Sequence, residues 1–232
     1  MKRGKELQRK VTPRGEAKIK WDEPLDEKIR PEWDQLLETM KELTMLSVPR
    51  AFTTPTMGPI LGKKLFCFTD ASSSAVAFVV YLQVIDTKGQ VFVSFVSGNA
   101  LLSPRACEVR GELSIPRAEL TAAEMGASAA ATIEQDLNWK DLDVTEYFTD
   151  SMACLGWLRN RTDRFSIYVS NRRRRILEAS SAEQCHYVPT AVNPADVGTR
   201  PISVEGLIAS SWLKGHGEID RHPMSYWEEP NM

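Results

Sequence analysis

Leu65-Phe66-Cys67-Phe68-Thr69-Asp70-Ala71-Ser72 decides how this chain is read. It is an unbroken apolar run that ends in an acid. Continuous rather than alternating hydrophobicity suits a strand buried on both faces. The ending recurs as Phe148-Thr149-Asp150-Ser151, after a second apolar run from Val144. Between the two lies a stretch long enough for a helical crossover, which makes the strands parallel. As neighbours, they place Asp70 and Asp150 roughly 5 Å apart at the carboxyl edge of the sheet. That edge is where open α/β sheets bind ligands.

The elements around this pair complete an α/β pattern. Ala75 to Val84 reads as a second strand and Gln90 to Val96 as a third, with Asp86-Thr87-Lys88-Gly89 as their hairpin turn. Ser114-Ile115-Pro116-Arg117 reads as a helix start, followed from Ala118 to about Gln135 by a small-residue helix. Leu120, Ala123, Ala127, Ala130 and Ala131 share one face of it, so it can sit close to a sheet. Short and longer helices are expected over Met152 to Leu158 and Phe165 to Ser180. Gln184 to Val188 reads as a fifth strand, and a C-terminal helix follows. The order βββ, α, β, αα, β predicts a mixed sheet with helical crossovers.

Four segments are expected: a basic tail at 1–20, a connection with one helix at 21–60, the α/β domain at 61–200 and a C-terminal extension at 201–232. In the connection, Pro31 opens a helix whose Trp33, Leu36, Leu37, Met40 and Leu43 form an apolar face. The tail is read as a solvated segment, a nuclear-import signal or a phosphate-binding arm. No apolar run reaches the ~18–20 residues of a membrane span. No secretory signal begins the chain, so an intracellular protein, cytoplasmic or nuclear, is expected. Cys67, Cys107, Cys154 and Cys185 lie far apart, which favours reduced thiols over a disulfide framework.

Two carboxylates that close repel unless protons or cations intervene, and hard divalent cations take such oxygen ligands. Taken singly, each Asp also suits a turn or helix cap. Glu119 lies in the first turn of the small-residue helix, where an acid also complements the helix dipole. Asp196, in Asn193-Pro194-Ala195-Asp196, is a fourth acid or a capping residue. Several activities are excluded. Neither Asp70-Ala71-Ser72 nor Asp150-Ser151-Met152 has the Gly of an aspartic-protease motif. There is no Walker loop, dinucleotide fingerprint or hydrolase-triad pattern.

At these blocks the chain resembles the ribonuclease H domain of retroelement polyproteins, most nearly the Bel/Pao type of LTR retrotransposon. The blocks are Phe68-Thr69-Asp70-Ala71-Ser72, Ser114 to Leu120, Phe148 to Ser151 with Leu155 and Trp157-Leu158, Asn171-Arg172, and Val188-Pro189 through Asp196. Trp21-Asp22, Trp33, Val48-Pro49-Arg50 and Trp212 to Gly215 extend the resemblance outward. The resemblance implies an RNase H-like fold with a five-stranded sheet in the order 3-2-1-4-5. It implies that Asp70, Glu119, Asp150 and Asp196 form the family's metal-binding and catalytic tetrad. Two Mg²⁺ ions, with Mn²⁺ as a substitute, would then sit ~3.5–4 Å apart and cleave the RNA strand of an RNA–DNA hybrid. Implied partners are the hybrid, reverse transcriptase and other polyprotein products. The alternative is a catalytically inactive module of the same fold that binds nucleic acid or a protein partner. A nuclease of this fold with another substrate is a third reading.

One departure is clear: the loop Pro189 to Asn193 lacks the histidine that many ribonucleases H carry before the last acid. His186 falls earlier, in the fifth strand, and is expected to be a packed or edge residue. No reverse-transcriptase Asp-Asp pair, protease motif or integrase zinc constellation appears, so an excised, truncated or independently expressed chain is expected. Candidate nucleic-acid contacts are Arg117, Arg172, Arg173, Arg174, Arg175, Asn193 and Arg200. Four consecutive arginines on a helix cannot all point one way, so some are expected to face solvent or pair with acids. Trp139, Trp157, Trp212 and Trp227 are expected to serve as core or docking residues. The net charge of −2 argues against a strongly basic nucleic-acid binder, yet residues 172–175 are all arginine. Modest, metal-dependent hybrid affinity is the expectation.

Overall fold

The computed structural model describes residues 24, 26–103, 114–139, 141–162 and 164–215. The readings of the tail 1–20, Trp21, Cys107 and Trp227 fall outside the described residues.

Five strands form one sheet: β1 (Ile60–Ala71), β2 (Ala75–Asp86), β3 (Val91–Leu102), β4 (Glu146–Thr149) and β5 (Cys185–Tyr187). Their order is β3-β2-β1-β4-β5, as expected. β1 pairs with β2 antiparallel and with β4 parallel, and β4 pairs with β5 parallel. Thr69 lies directly beside Thr149 in the parallel register, so the two Thr-Asp endings leave the sheet side by side. β1 and β3 run longer than their apolar cores. Lys63 and Lys64 continue β1 because they pair with Val84 and Gln83 of β2, not because they are buried.

The helices are α1 (Arg30–Glu42), α2 (Ile115–Leu137), α3 (Met152–Arg159), α4 (Ile167–Ala179), and three short ones: α5 (Asp196–Thr199), α6 (Val204–Ala209) and α7 (Ser211–Lys214). No helix among the described residues is long and apolar enough to cross a membrane. α2, α3 and α4 cover one face of the sheet, where Leu65, Cys67, Val80, Leu82, Leu120, Ala127, Ala130, Leu155 and Ile176 form the larger core. The small residues of α2 explain its close seat. A Cβ at Gly126 would lie 2.7 Å from Thr69 Cγ2 and 2.8 Å from Cys67 Sγ, so only glycine allows this approach.

On the opposite face Phe66, Phe68, Tyr81, Phe148, Val188 and Ala195 pack with Trp212. The Tyr81 hydroxyl reaches the main-chain oxygens of Ser211 and Trp212 at 2.8 and 2.9 Å. A Cβ at Gly198 would lie 2.5 Å from the Trp212 ring, so the last helices close tightly over this face. The packed unit therefore continues past residue 200, the expected domain end, to Trp212.

The connection behaves in two parts. Phe52 and Met57 pack against the larger core, and Phe52 meets Trp139 edge-on at 5.7 Å. Asp86, fully buried, accepts hydrogen bonds from the amides of Gly58, Lys88 and Gln90, each at 2.8 Å. That carboxylate both closes the β2–β3 hairpin and ties the incoming chain to it. The apolar face of α1, in contrast, is not buried: Leu37 is 42% and Met40 55% exposed. Cys67, Cys154 and Cys185 are buried and unbridged, as expected. Burial pushes all three thiols up, Cys185 to about 11.

Candidate metal centre

Three elements bring acids to one point. β1 delivers Asp70 at its end, β4 delivers Asp150 one residue beyond its own, and α2 delivers Glu119 from its first turns. Pro116 near the start of α2 fits a first helical turn, where its missing N–H costs nothing. One carboxylate oxygen from each of Asp70, Glu119 and Asp150 lies within 4.8 Å of the others. The twin strand endings account for Asp70 and Asp150, and α2 adds Glu119.

Asp70 is 4% and Glu119 6% exposed. Burial is the main reason their carboxyls hold protons more tightly than usual. Asp70 is pushed up to about 6, with the charges of Asp150 and Asp196 adding to burial and a hydrogen bond from Thr199 opposing it. Glu119 is pushed up to about 9 by burial, then by Asp150 and Asp70. Asp150 is raised by burial, against a hydrogen bond from Thr190. Thr199 Oγ1 donates to Asp70 Oδ2 at 2.6 Å, and Thr190 Oγ1 donates to Asp150 Oδ2 at 2.6 Å. The sequence offers no signal for either contact beyond the position of each threonine near Asp196.

Glu119 Oε2 and Asp150 Oδ1 are buried and have no hydrogen-bond partner among the described residues. Buried carboxylate oxygens are normally satisfied, and a bound ion is one standing explanation for such exceptions. A set of hard oxygen donors within a few ångströms is the donor chemistry of Mg²⁺ or Mn²⁺. The residues present thus fit a divalent cation. Asp196, the fourth expected acid, stands close enough to raise Asp70 and Asp150, but its carboxylate pairs with Arg200 at 2.7 Å and is not in the three-acid group.

The expected nucleic-acid contacts separate. Arg117 is exposed two residues before Glu119, with its guanidinium 5.6 Å from the Tyr168 ring. Arg200 is 66% exposed beside Asp196. Asn193 is 4% exposed. Its Nδ2 donates to the Thr69 carbonyl at 3.0 Å and its Oδ1 accepts from the Ala195 amide, so it fastens the loop to β1 instead of facing a ligand. The four arginines of α4 diverge. Arg172 stacks 3.6 Å over the Tyr168 ring and pairs with Glu124. Arg173 donates to the carbonyls of Trp157, Leu158 and Asn160, capping the end of α3. Arg174 pairs with Glu178 and Arg175 with Glu124, both with exposed side chains. His186 is a packed edge residue, as expected, with Nε2 2.6 Å from Glu146 Oε2. Trp139 and Trp157 are partly buried against the larger core, and Trp212 is in the second.

A family model described as a Pao retrotransposon-like RNaseH-like domain matches residues 1–151, more than half of the 232-residue chain. The matched span contains Asp70, Glu119 and Asp150, and Asp196 lies beyond it. No curated protein matches the chain. Among solved structures, RNase H1 from the halophilic archaeon Halobacterium salinarum NRC-1 is 18% identical, covering 66% of this chain and 100% of its own, with a TM-score of 0.35. LC11-RNase H1 in complex with an RNA/DNA hybrid is 12% identical, covering 58% of this chain and 91% of its own, with a TM-score of 0.36. A foamy viral protease-reverse transcriptase is 9% identical, covering 81% of this chain and 30% of its own, with a TM-score of 0.34. At such scores the strand order and the family match carry the fold assignment.

Proposed function

The chain belongs to the Pao retrotransposon-like RNaseH-like family, and from that premise we propose that it is a metal-dependent endoribonuclease that cleaves the RNA strand of RNA–DNA hybrids. The observation that carries this reading is the buried group Asp70, Glu119 and Asp150, with two carboxylate oxygens lacking a partner among the described residues. Asp70, Glu119 and Asp150 would hold the cation, with Asp196 beside them. Mg²⁺, or Mn²⁺ in its place, supplies Lewis-acid activation of water and stabilisation of the leaving 3′ oxygen when bound.

The chain's own residues set the conditions for that chemistry. Glu119 binds its proton tightly enough to keep it at neutral pH in the metal-free protein. Cation binding therefore releases a proton here, and affinity rises with pH. An unbalanced buried acid group also repels the phosphates of a hybrid, so substrate affinity depends on the cation. Arg117 and Arg200, exposed beside the acids, are placed to meet phosphate oxygens, and Arg174 and Arg175 extend the basic surface along α4. Recognition of the hybrid rests on 2′-hydroxyls in the minor groove. Reverse transcriptase and other products of the same polyprotein are the partner class this reading carries, and its work is in the cytoplasm or nucleus.

The test is direct. A labelled RNA–DNA hybrid is incubated with Mg²⁺ or Mn²⁺ and the full chain, in parallel with Asp150→Asn. Cleavage of the RNA strand by the parent and none by the variant is expected. Tight hybrid binding without cleavage by either protein would replace the enzyme with a binding module of the same fold.

A further inference from the structure

Thr199 is the last residue of α5, is 2% exposed, and makes the 2.6 Å bond to Asp70 across 129 positions of sequence. Its hydroxyl has one proton and two acceptors in reach: Asp70 Oδ2 at 2.6 Å and the Asp196 carbonyl at 3.0 Å. The shorter, charge-assisted bond to the carboxylate takes that proton. Thr199 is buried, so the hydroxyl is held against these protein acceptors. The neighbouring residue, Arg200, holds the carboxylate of Asp196. Consecutive residues at the end of α5 thus grip the acid from β1 and the acid that begins α5.

We propose that Thr199 is a positioning residue for the divalent cation, anchoring one oxygen of Asp70 so that the carboxylate keeps the orientation in which it joins Glu119 and Asp150. The proposal rests on the cation reading given above. The partners that orient metal-binding carboxylates typically contribute ~10–100-fold in metal affinity. A free carboxylate rotates about its terminal torsion over a broad, roughly two-fold range. With the hydroxyl in place, Asp70 Oδ2 is held toward α5.

The full chain is stripped of metal and titrated calorimetrically with Mn²⁺ alone, as parent, Thr199→Val, Thr199→Ser and Asp70→Asn. Valine keeps the shape of threonine and loses the donor. Serine keeps the donor. Thr199→Val is expected to bind Mn²⁺ at least ~10-fold more weakly, while Thr199→Ser stays within ~3-fold of the parent. Hybrid cleavage at limiting metal should follow the same split and recover in Thr199→Val at saturating Mn²⁺, because Thr199 is too buried to touch substrate. A purely packing role predicts the reverse ranking, since serine leaves the larger void. Parent-like binding by Thr199→Val overturns the proposal and leaves the cation reading intact. A parent that binds no better than Asp70→Asn overturns both. Should Thr199→Val fail to fold, Thr199→Ser decides: parent-like binding supports the anchor, and binding as weak as that of Asp70→Asn overturns it.

Discussion

Replacing Glu119 with glutamine should stabilise the metal-free protein and flatten its pH dependence. The folded protein holds the Glu119 proton to about 9 and the Asp70 proton to about 6, against ordinary values of 4.5 and 3.8. In the unfolded chain both groups ionise at those ordinary values. The folded state thus binds more protons in the window between each pair of values. Stability from these groups is fully present below the ordinary values and is lost as pH rises through the window. Together they remove on the order of a few kcal/mol of stability between pH 5 and pH 7, most of it through Glu119, whose carboxyl is raised the furthest. For a chain of this size each 1 kcal/mol corresponds to about 2–4 °C in Tm. Urea unfolding of the metal-free parent and of Glu119→Gln, each from pH 5 to pH 7, measures this loss. The parent should weaken steeply and the variant much less. Adding Mg²⁺ should restore the parent at pH 7 and leave the variant nearly unchanged. Parallel curves for the two proteins would show that Glu119 ionises as freely when folded as when unfolded, and the reasoning from its burial would be refuted.

Other predictions follow from packing. Gly126→Ala places a Cβ against Thr69 and Cys67, which should destabilise the fold by about 1–3 kcal/mol in urea unfolding and weaken Mg²⁺ binding, because α2 also carries Glu119. Arg173→Ala removes the donor to three carbonyls and should cost about 1–3 kcal/mol, whereas Arg174→Ala, at an exposed pair, should stay within about 0.5 kcal/mol. Cys67, Cys154 and Cys185 should resist alkylation in the native protein and react on unfolding, as read by mass spectrometry.

The parts of the fold legible in sequence are those written in hydrophobicity. The run Leu65 to Thr69 and its echo before Asp150 gave two adjacent parallel strands, and that adjacency alone brings two acids together. The small residues of α2 announced its seat against the sheet. Strand length was less legible, since Lys63 and Lys64 are held in β1 by pairing with β2, and pairing leaves no mark in composition. Side-chain direction was the least legible. Asn193 looked like a surface contact beside an acid, yet its amide is turned inward onto β1. The run Arg172 to Arg175 was expected to diverge, but not where each side chain would go: the helix sends Arg173 to the end of α3 and Arg172 onto Tyr168. Thr199 was invisible for another reason: a hydroxyl meeting a carboxylate across 129 positions has no local signature.

The distance along the chain between Asp70 and Thr199 has a consequence in time. A ribosome adding about 5–20 residues per second needs on the order of 6–26 seconds to travel the 129 positions from one to the other. During that interval β1 and β2 can pair as a hairpin, but Asp70 has no anchor, and β4, which completes the parallel pair, is made only part-way through. Trp212, which closes the second face of the sheet, emerges later still. The acid of β1 therefore reaches its packed surroundings only after the helices that follow β5 have been made and have docked.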